Sequence, residues 1–168
     1  MNVAGLSPKE KLQPSLLDRL TDLRPDVRTS SGGVRVLSME ELRDGVRRDL
    51  ASLFNATSLE TVEDLSDYPN VQRSTLNFGM PDLSGKTASG MDLKELERAL
   101  GRAIHEFEPR LLEESVKITS DVFDSKSHNT MVATIEAELW SQPLPQKLLL
   151  RTELDLENGE VQLKEADT

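Results

Sequence analysis

Two stretches of this chain carry apolar residues at helical spacing, and the region after them alternates. Leu42, Val46, Leu50, Leu53 and Phe54 line one face of a segment running from Ser38 to about Asn55. Leu93, Leu96, Leu100, Ile104 and Phe107 line one face of a second segment that starts at Asp92. Apolar residues every three or four positions fall on one side of an α-helix. Both segments open on capping signals. Ser38 and Glu41 stand three apart, so each side chain can take a backbone N–H of the first turn, and Asp92 and Glu95 repeat the spacing. After the second helix the period falls to two. Val116, Ile118 and Val122 alternate with Lys117, Thr119 and Asp121. Met131, Ala133, Ile135, Ala137 and Leu139 alternate with Thr134, Glu136 and Glu138. Leu148, Leu150, Thr152, Leu154 and Leu156 alternate with Arg151, Glu153 and Asp155. Period two places the apolar set on one face of a strand. Asn158-Gly159 signals a two-residue hairpin leading to Val161 and Leu163. Helices followed by strands predict an α+β fold: two main amphipathic helices packed on a three- to four-stranded antiparallel sheet.

An N-terminal arm precedes this unit. Pro8, Pro14 and Pro25 punctuate it, and Pro14 stands where a short helix through Ser15-Leu16-Leu17-Asp18-Arg19-Leu20 can start. Leu16, Leu17, Leu20 and Leu23 form its apolar stripe. So short a helix is unstable alone, so it docks on its own domain or on a partner. Ser30-Ser31-Gly32-Gly33 is a flexible joint. It divides an arm, residues 1–33, from a single α+β domain, residues 34–168. Val34 and Val36 indicate a short strand. Gly45 costs about 1 kcal/mol inside a helix and points to a close approach by another backbone. Between the helices the pattern is mixed. Val62 and Leu65 fit a helical turn, Tyr68-Pro69-Asn70 a turn, and residues 71–78 either a strand or a helical turn. Residues 77–82 form a bend and 84–90 a polar loop.

Composition narrows the function. In 168 residues, 36% are apolar and 30% charged, which fits one small core under a large polar surface. A net charge of −10 repels phosphate backbones, excluding nucleic acid and leaving a basic protein partner compatible. The absence of cysteine removes disulfides and thiolate metal sites and favours a reducing compartment. No apolar run approaches the ~18 residues of a membrane helix, and Met1 to Pro8 lack a basic start followed by an apolar run. A cytoplasmic protein with no membrane insertion is expected. His105 and His128 are the only histidines and lack ligand spacing, so no metal is expected. Without a Gly-x-Ser-x-Gly elbow, a Walker run or a Gly-x-Gly-x-x-Gly turn, no nucleophile, cofactor or small-molecule substrate is expected either. Trp140, at a strand end, is read as a core residue, with an interface anchor as the alternative. The charged final hairpin, Glu160 to Asp167, either repels unwanted pairing or accepts a partner's strand.

The run Phe107-Glu108-Pro109-Arg110-Leu111 breaks a local rule. A carboxylate at a helix C-terminus faces the negative end of the macrodipole. Pro109 stops the helix and pushes Glu108 toward extended backbone, where residues two apart point to the same side. Two readings stand side by side. In one, Pro109 ends a helix between two solvated charges. In the other, Glu108 and Arg110 are a preorganised charged pair, since rule-breaking sites are often functional. A glycosidase reading would make Glu108 the acid, with a carboxylate from the Asp121 or Glu138 region as its partner. Arg110 beside it favours a charged Glu108, the wrong state for an acid.

Four motifs then line up in order: Gln13-Pro14-Ser15-Leu16-Leu17-Asp18-Arg19-Leu20-Thr21-Asp22; Val46-Arg47-Arg48-Asp49-Leu50 with Leu53-Phe54-Asn55; Ser74-Thr75-Leu76-Asn77-Phe78-Gly79-Met80-Pro81-Asp82; and Phe107-Glu108-Pro109-Arg110-Leu111. With these the chain resembles the TssE family of type VI secretion baseplate subunits. TssE belongs to the small baseplate wedge proteins of contractile phage tails, labelled "lysozyme-like" in some naming. The likeness runs over nearly the whole chain, and the arm motif looks like the secretion branch. Phe54 and Phe78 stand where the family often has another apolar residue and Tyr. The resemblance implies a non-enzymatic structural part, similar in fold to the core of the sheath subunit, that joins the wedge complex to the first sheath ring. It implies that Glu108, Pro109 and Arg110 bind partner wedge subunits, and that the baseplate assembles on the cytoplasmic side of the inner membrane. The C-terminal sheet edge is then expected to pair with a sheath strand. The alternative is a peptidoglycan-cleaving, lysozyme-like glycosidase with Glu108 as acid.

Overall fold

The computed structural model describes residues 15–21, 37–82, 93–123, 130–141 and 144–166. Ser38 opens the first long helix as its spacing predicts. Its hydroxyl accepts from the Glu41 N–H at 3.1 Å, and the Glu41 carboxylate accepts from the Ser38 N–H at 2.9 Å. This helix, α2, spans Met39–Phe54 and ends at Asn55. A shorter helix precedes it, α1 at Leu16–Leu20, and a single turn follows, α3 at Pro69–Gln72. The second long helix, α4, spans Leu93–Phe107 and ends where Pro109 requires; the expected cap Asp92 lies outside the described residues.

Four strands follow: β1 at Lys117–Phe123, β2 at Thr130–Leu139, β3 at Gln146–Asp155 and β4 at Val161–Glu165. They form one antiparallel sheet in chain order, β1-β2-β3-β4. The register places Ile118, Ile135 and Leu150 in one row and Ala133, Thr152 and Leu163 in another. Period-two alternation therefore delivers a continuous apolar face, and α2 and α4 lie across it. All five expected α2 positions are buried, as are Leu96, Leu100 and Ile104 of α4. Each such side chain contributes about 1.5–3 kcal/mol of burial. The two hydroxyls on this face are satisfied: Thr152 Oγ1 donates to the Ala133 carbonyl at 2.7 Å, and Ser120 Oγ donates to Glu97 Oε1 of α4 at 2.9 Å.

The structure refines several expectations. The last hairpin forms, but not as a two-residue turn. The Asp155 N–H bonds the Glu160 carbonyl at 2.9 Å, so residues 156–159 make the loop. A two-residue type I′ turn needs positive φ at both central residues. Only Gly159 has it, at 74°, while Leu156 is drawn fully into the core. Residues 71–78 are helical turns rather than a strand: α3 is followed by a 3-10 turn at Thr75–Asn77. The turn expected around Val62 and Leu65 falls at Leu59–Thr61. Trp140 is 48% exposed rather than in the core, because it follows buried Leu139 and so turns to the opposite face. The strand expected at Val34 and Val36, the loop at 84–90 and His128 lie outside the described residues.

The bend at residues 77–82 has a strict steric basis. Gly79 has φ of 132°, and a Cβ there would lie 2.4 Å from the Ala56 carbonyl oxygen. The close approach lets Met80 and Ala56 pair at 2.8 Å, and Ser58 and Met80 at 2.9 Å, clamping this strap to the end of α2. Beside it the Phe78 and Phe107 rings meet edge to face at 5.3 Å. Gly79→Ala is therefore expected to destabilise the domain by roughly 2 kcal/mol or more, read as a lowered denaturant midpoint at unchanged slope.

Candidate docking site

At the end of α4 the Glu108 N–H still bonds the Ile104 carbonyl at 2.9 Å. Pro109 has no N–H to continue the ladder, and the chain closes a turn with the Leu111 N–H on the Glu108 carbonyl at 3.2 Å. The corner is thus a turn with proline in its second position, which a fixed φ suits, and not the extended run expected from sequence. Its exit is fixed by pairing. The Leu112 N–H bonds the Glu138 carbonyl at 2.8 Å, and the Trp140 N–H bonds the Arg110 carbonyl at 2.7 Å. Leu111 drops into the core between them.

The structure brings Glu108 and Arg110 together, in contact with each other. Glu108 is 4% exposed. Its Oε1 accepts from Arg110 Nε at 2.6 Å and from the Arg110 backbone N–H at 3.1 Å, and its Oε2 accepts from Arg110 Nη2. Arg110 Nη2 also donates to Asp49 Oδ2 of α2 at 2.8 Å. Asp49 Oδ1 in turn accepts from Arg48 Nε and Nη2 at 2.9 and 2.7 Å. Arg48 Nη1 reaches Asp18 Oδ1 of α1 at 2.6 Å, and Ser15 Oγ donates to Asp18 Oδ2 at 2.7 Å. Five charges of alternating sign therefore run from the arm helix to the corner: Asp18, Arg48, Asp49, Arg110, Glu108.

This relay decides how α1 sits. Leu16, Leu17 and Leu20 are 69%, 65% and 76% exposed, so α1 is seated by charge and its apolar stripe faces outward. Gly45 shows the same economy of contact. Among the described residues no foreign backbone meets it; the neighbours of a Cβ there would be Arg110 Nη1 at 3.8 Å and Asp18 Oδ2 at 3.9 Å. The glycine admits two charged side-chain ends, and a methyl group would fit. Asp49, Arg48 and Asp18 join the site although sequence spacing gives no hint of it. Arg48 and Asp49 are adjacent on a helix, and only α2 packed beside the corner makes them useful.

Electrostatics follow from the contacts. The hydrogen bond from Arg48 holds the Asp18 carboxyl below its ordinary value of 3.8, against a smaller opposing effect of burial. Arg48 is raised, first by its bond to Asp18 and then by that to Asp49. Burial pulls Arg110 down, but its bonds and charge contacts with Glu108 and Asp49 outweigh that, and the net shift is upward.

Beside the corner lies a cleft of about 600 Å³ walled by Gly101, Ile104, Pro109, Val116 and Ile118. Exposed His105 sits at its rim with Nδ1 3.2 Å from Glu113. The geometry does not favour acid catalysis. Both Glu108 oxygens already accept from Arg110. Asp121 and Glu138 lie on the sheet face opposite the core, alternating with buried Ser120 and Leu139. Among the described residues no group of three or more His, Asp or Glu is placed to hold a metal ion, and no helix is long and apolar enough to cross a membrane.

Two outcomes test the network. Removing one partner of a buried pair costs ~3–5 kcal/mol, and the 27% exposure of the Arg110 side chain puts this pair at the low end. Arg110→Ala is expected to lower unfolding free energy by roughly 2–3 kcal/mol. Glu108→Leu/Arg110→Met, which leaves no orphan charge, recovers most of it in urea melts. Asp18 should titrate below 3.8 by carboxyl NMR, and Arg48→Met should move the midpoint up toward 3.8. Because its folded value is depressed, Asp18 stabilises the α1 seat above pH 3.8, and that contribution is lost as pH falls through the folded value.

Comparison with known proteins gives one result. Residues 40–144 match the model of the baseplate wedge protein gp25 family. No curated protein and no solved structure matched the chain. The matched segment holds most of α2, all of α4, the Glu108–Pro109–Arg110 corner, β1 and β2, well over half of the sequence. This chain belongs to the baseplate wedge protein gp25 family.

Proposed function

We propose that this protein is a structural subunit of a type VI secretion baseplate, joining the wedge complex to the first ring of the contractile sheath and catalysing no reaction. The observation that carries the reading is the family match, which includes a corner already locked by its own charges. The arm motif from Gln13 to Asp22, ahead of the matched segment, favours the secretion machine over a phage tail. Residues 1–33 act as a docking arm and residues 34–168 as the wedge domain. The corner plugs into a bundle of partner wedge chains. Glu108 is buried and serves to orient Arg110, so exposed Pro109 and the outer edge of the guanidinium make the contact. A corner held rigid before docking loses little entropy on binding, and a guanidinium aimed in advance fixes orientation. At the other end of the chain, the β4 edge takes a sheath strand. The assembly sits on the cytoplasmic face of the inner membrane.

The test is co-purification with tagged wedge subunits. Glu108→Leu/Arg110→Met is expected to keep its fold but to lose co-purification by about tenfold or more, the equivalent of roughly 1.4 kcal/mol. Undiminished co-purification removes the corner from the interface. Purified protein is expected to leave cell-wall suspensions turbid. Clearing that vanishes in Glu108→Gln would replace the structural reading with a glycosidase.

A further inference from the structure

The two edges of the sheet are finished differently. On β1, the Ser120 N–H points away from β2 and bonds Glu97 Oε1 of α4 at 2.8 Å, with Ser120 Oγ adding a bond at 2.9 Å. A carboxylate can only accept, so this edge is blocked by a charge. On β4 the first outward rung is occupied by an amide. Asn55 Oδ1 accepts from the Val161 N–H at 2.9 Å, and Asn55 Nδ2 donates to the Val161 carbonyl at 2.8 Å. The other Nδ2 hydrogen goes to the Ala51 carbonyl at 2.8 Å. Both donors and the acceptor of the amide are used, which fixes its orientation. A carboxamide with one N–H and one C=O facing a strand reproduces what a neighbouring peptide unit would offer.

Backbone alternation then locates the open part of the edge. The Glu160 carbonyl and the Ala166 N–H both face β3, bonding Asp155 at 2.9 Å and Leu149 at 3.0 Å. Val161, Leu163 and Glu165 therefore turn their backbone groups outward, while Gln162 and Lys164 turn theirs to β3. With Val161 taken by Asn55, the rungs left free among the described residues are Leu163 and Glu165. Half-buried Leu163 lies on the helix-facing side against the core, and Lys164 and Glu165 are held by Glu153 at 3.0 Å and Arg43 at 3.3 Å.

We propose that Asn55 is a built-in strand surrogate that closes the first rung of β4 and so fixes the register in which a partner strand adds to this edge. The proposal rests on the reading that β4 receives an extended segment of the sheath subunit. That segment hydrogen-bonds Leu163 and Glu165 and sets an apolar side chain beside Leu163. A slip of one residue flips its side chains to the wrong face. A slip of two residues that carries the end of the segment onto Val161 keeps the faces, but both Val161 backbone groups are already bonded to Asn55. A merely structural Asn55, tying the end of α2 to β4, would change stability and leave register alone.

The chain has no cysteine, so introduced cysteines report cleanly. Lys164→Cys and Gln162→Cys sit on the exposed face at positions whose neighbours on an added strand would be non-hydrogen-bonded, the close geometry disulfides need. Each is mixed, as full-length protein, with purified sheath subunit carrying single cysteines along its terminal strand. With Asn55 present, Lys164→Cys is expected to cross-link to one sheath position, at least about tenfold faster than Gln162→Cys links to any. In an Asn55→Ala background Gln162→Cys gains cross-links, and Lys164→Cys spreads to a second sheath position two residues away. Equal linking at 162 and 164 with Asn55 in place overturns the proposal, and that comparison stands even if Asn55→Ala fails to fold. An unchanged single register in folded Asn55→Ala also overturns it, leaving the sheath reading intact. No cross-linking at either site sinks the sheath reading and the proposal with it.

Discussion

Burying the Glu108 carboxylate is the constraint on which the rest of this molecule turns. A charge almost wholly removed from water is tolerated only with a partner and with its lone pairs filled. Arg110 meets both needs at once, with two side-chain N–H groups and its own backbone N–H. That requirement sets the turn at Pro109, the aim of the guanidinium and its reach to Asp49 on the other long helix. Asp49 then recruits Arg48, and Arg48 recruits Asp18 of the arm helix. One buried charge thus ties together α4, α2 and α1, elements that apolar packing alone would not orient around this corner.

The consequence is a body whose helices, corner and sheet are held to one another by defined contacts. Charged residues make up 30% of the chain. Among the described residues the outward-facing apolar side chains include the leucines of α1, Val62, Tyr68, Leu76, Pro109, Trp140 and Leu144. Adding a strand or seating a turn requires little rearrangement of a body whose sheet and helices share one core. Such a body suits a member of a baseplate wedge family, because a part that is already ordered loses little entropy on joining other baseplate proteins.

Much of the fold was legible in the sequence, because it depends on short-range periodicity. The apolar set of α2, the Ser38–Glu41 capping box and the alternation of β2 and β3 each depend on residues a few positions apart. The structure places them as that spacing predicts. Failures occurred where a distant element outvoted a local signal. Asn158-Gly159 favours a two-residue turn, but the core claims Leu156 and lengthens the loop. The leucine stripe of α1 left docking on its own domain or on a partner open, and within the chain it is Asp18, on the polar side, that holds the helix.

By itself, then, the sequence determined that the two long periodic segments are helices and the alternating ones strands, which face of each turns inward, and that a proline-centred corner separates the two halves. Those properties follow from side-chain order along a regular backbone. Only the tertiary structure decided what the charged residues do. Whether Glu108 faces water or Arg110, whether Asp49 belongs to a surface or to a site, and whether Asn55 merely ends a helix or also fills a strand's place all depend on contacts between residues as much as 106 positions apart. The energy of an ionic or amide contact depends on burial and on direction, and neither exists until the helices have packed across the sheet.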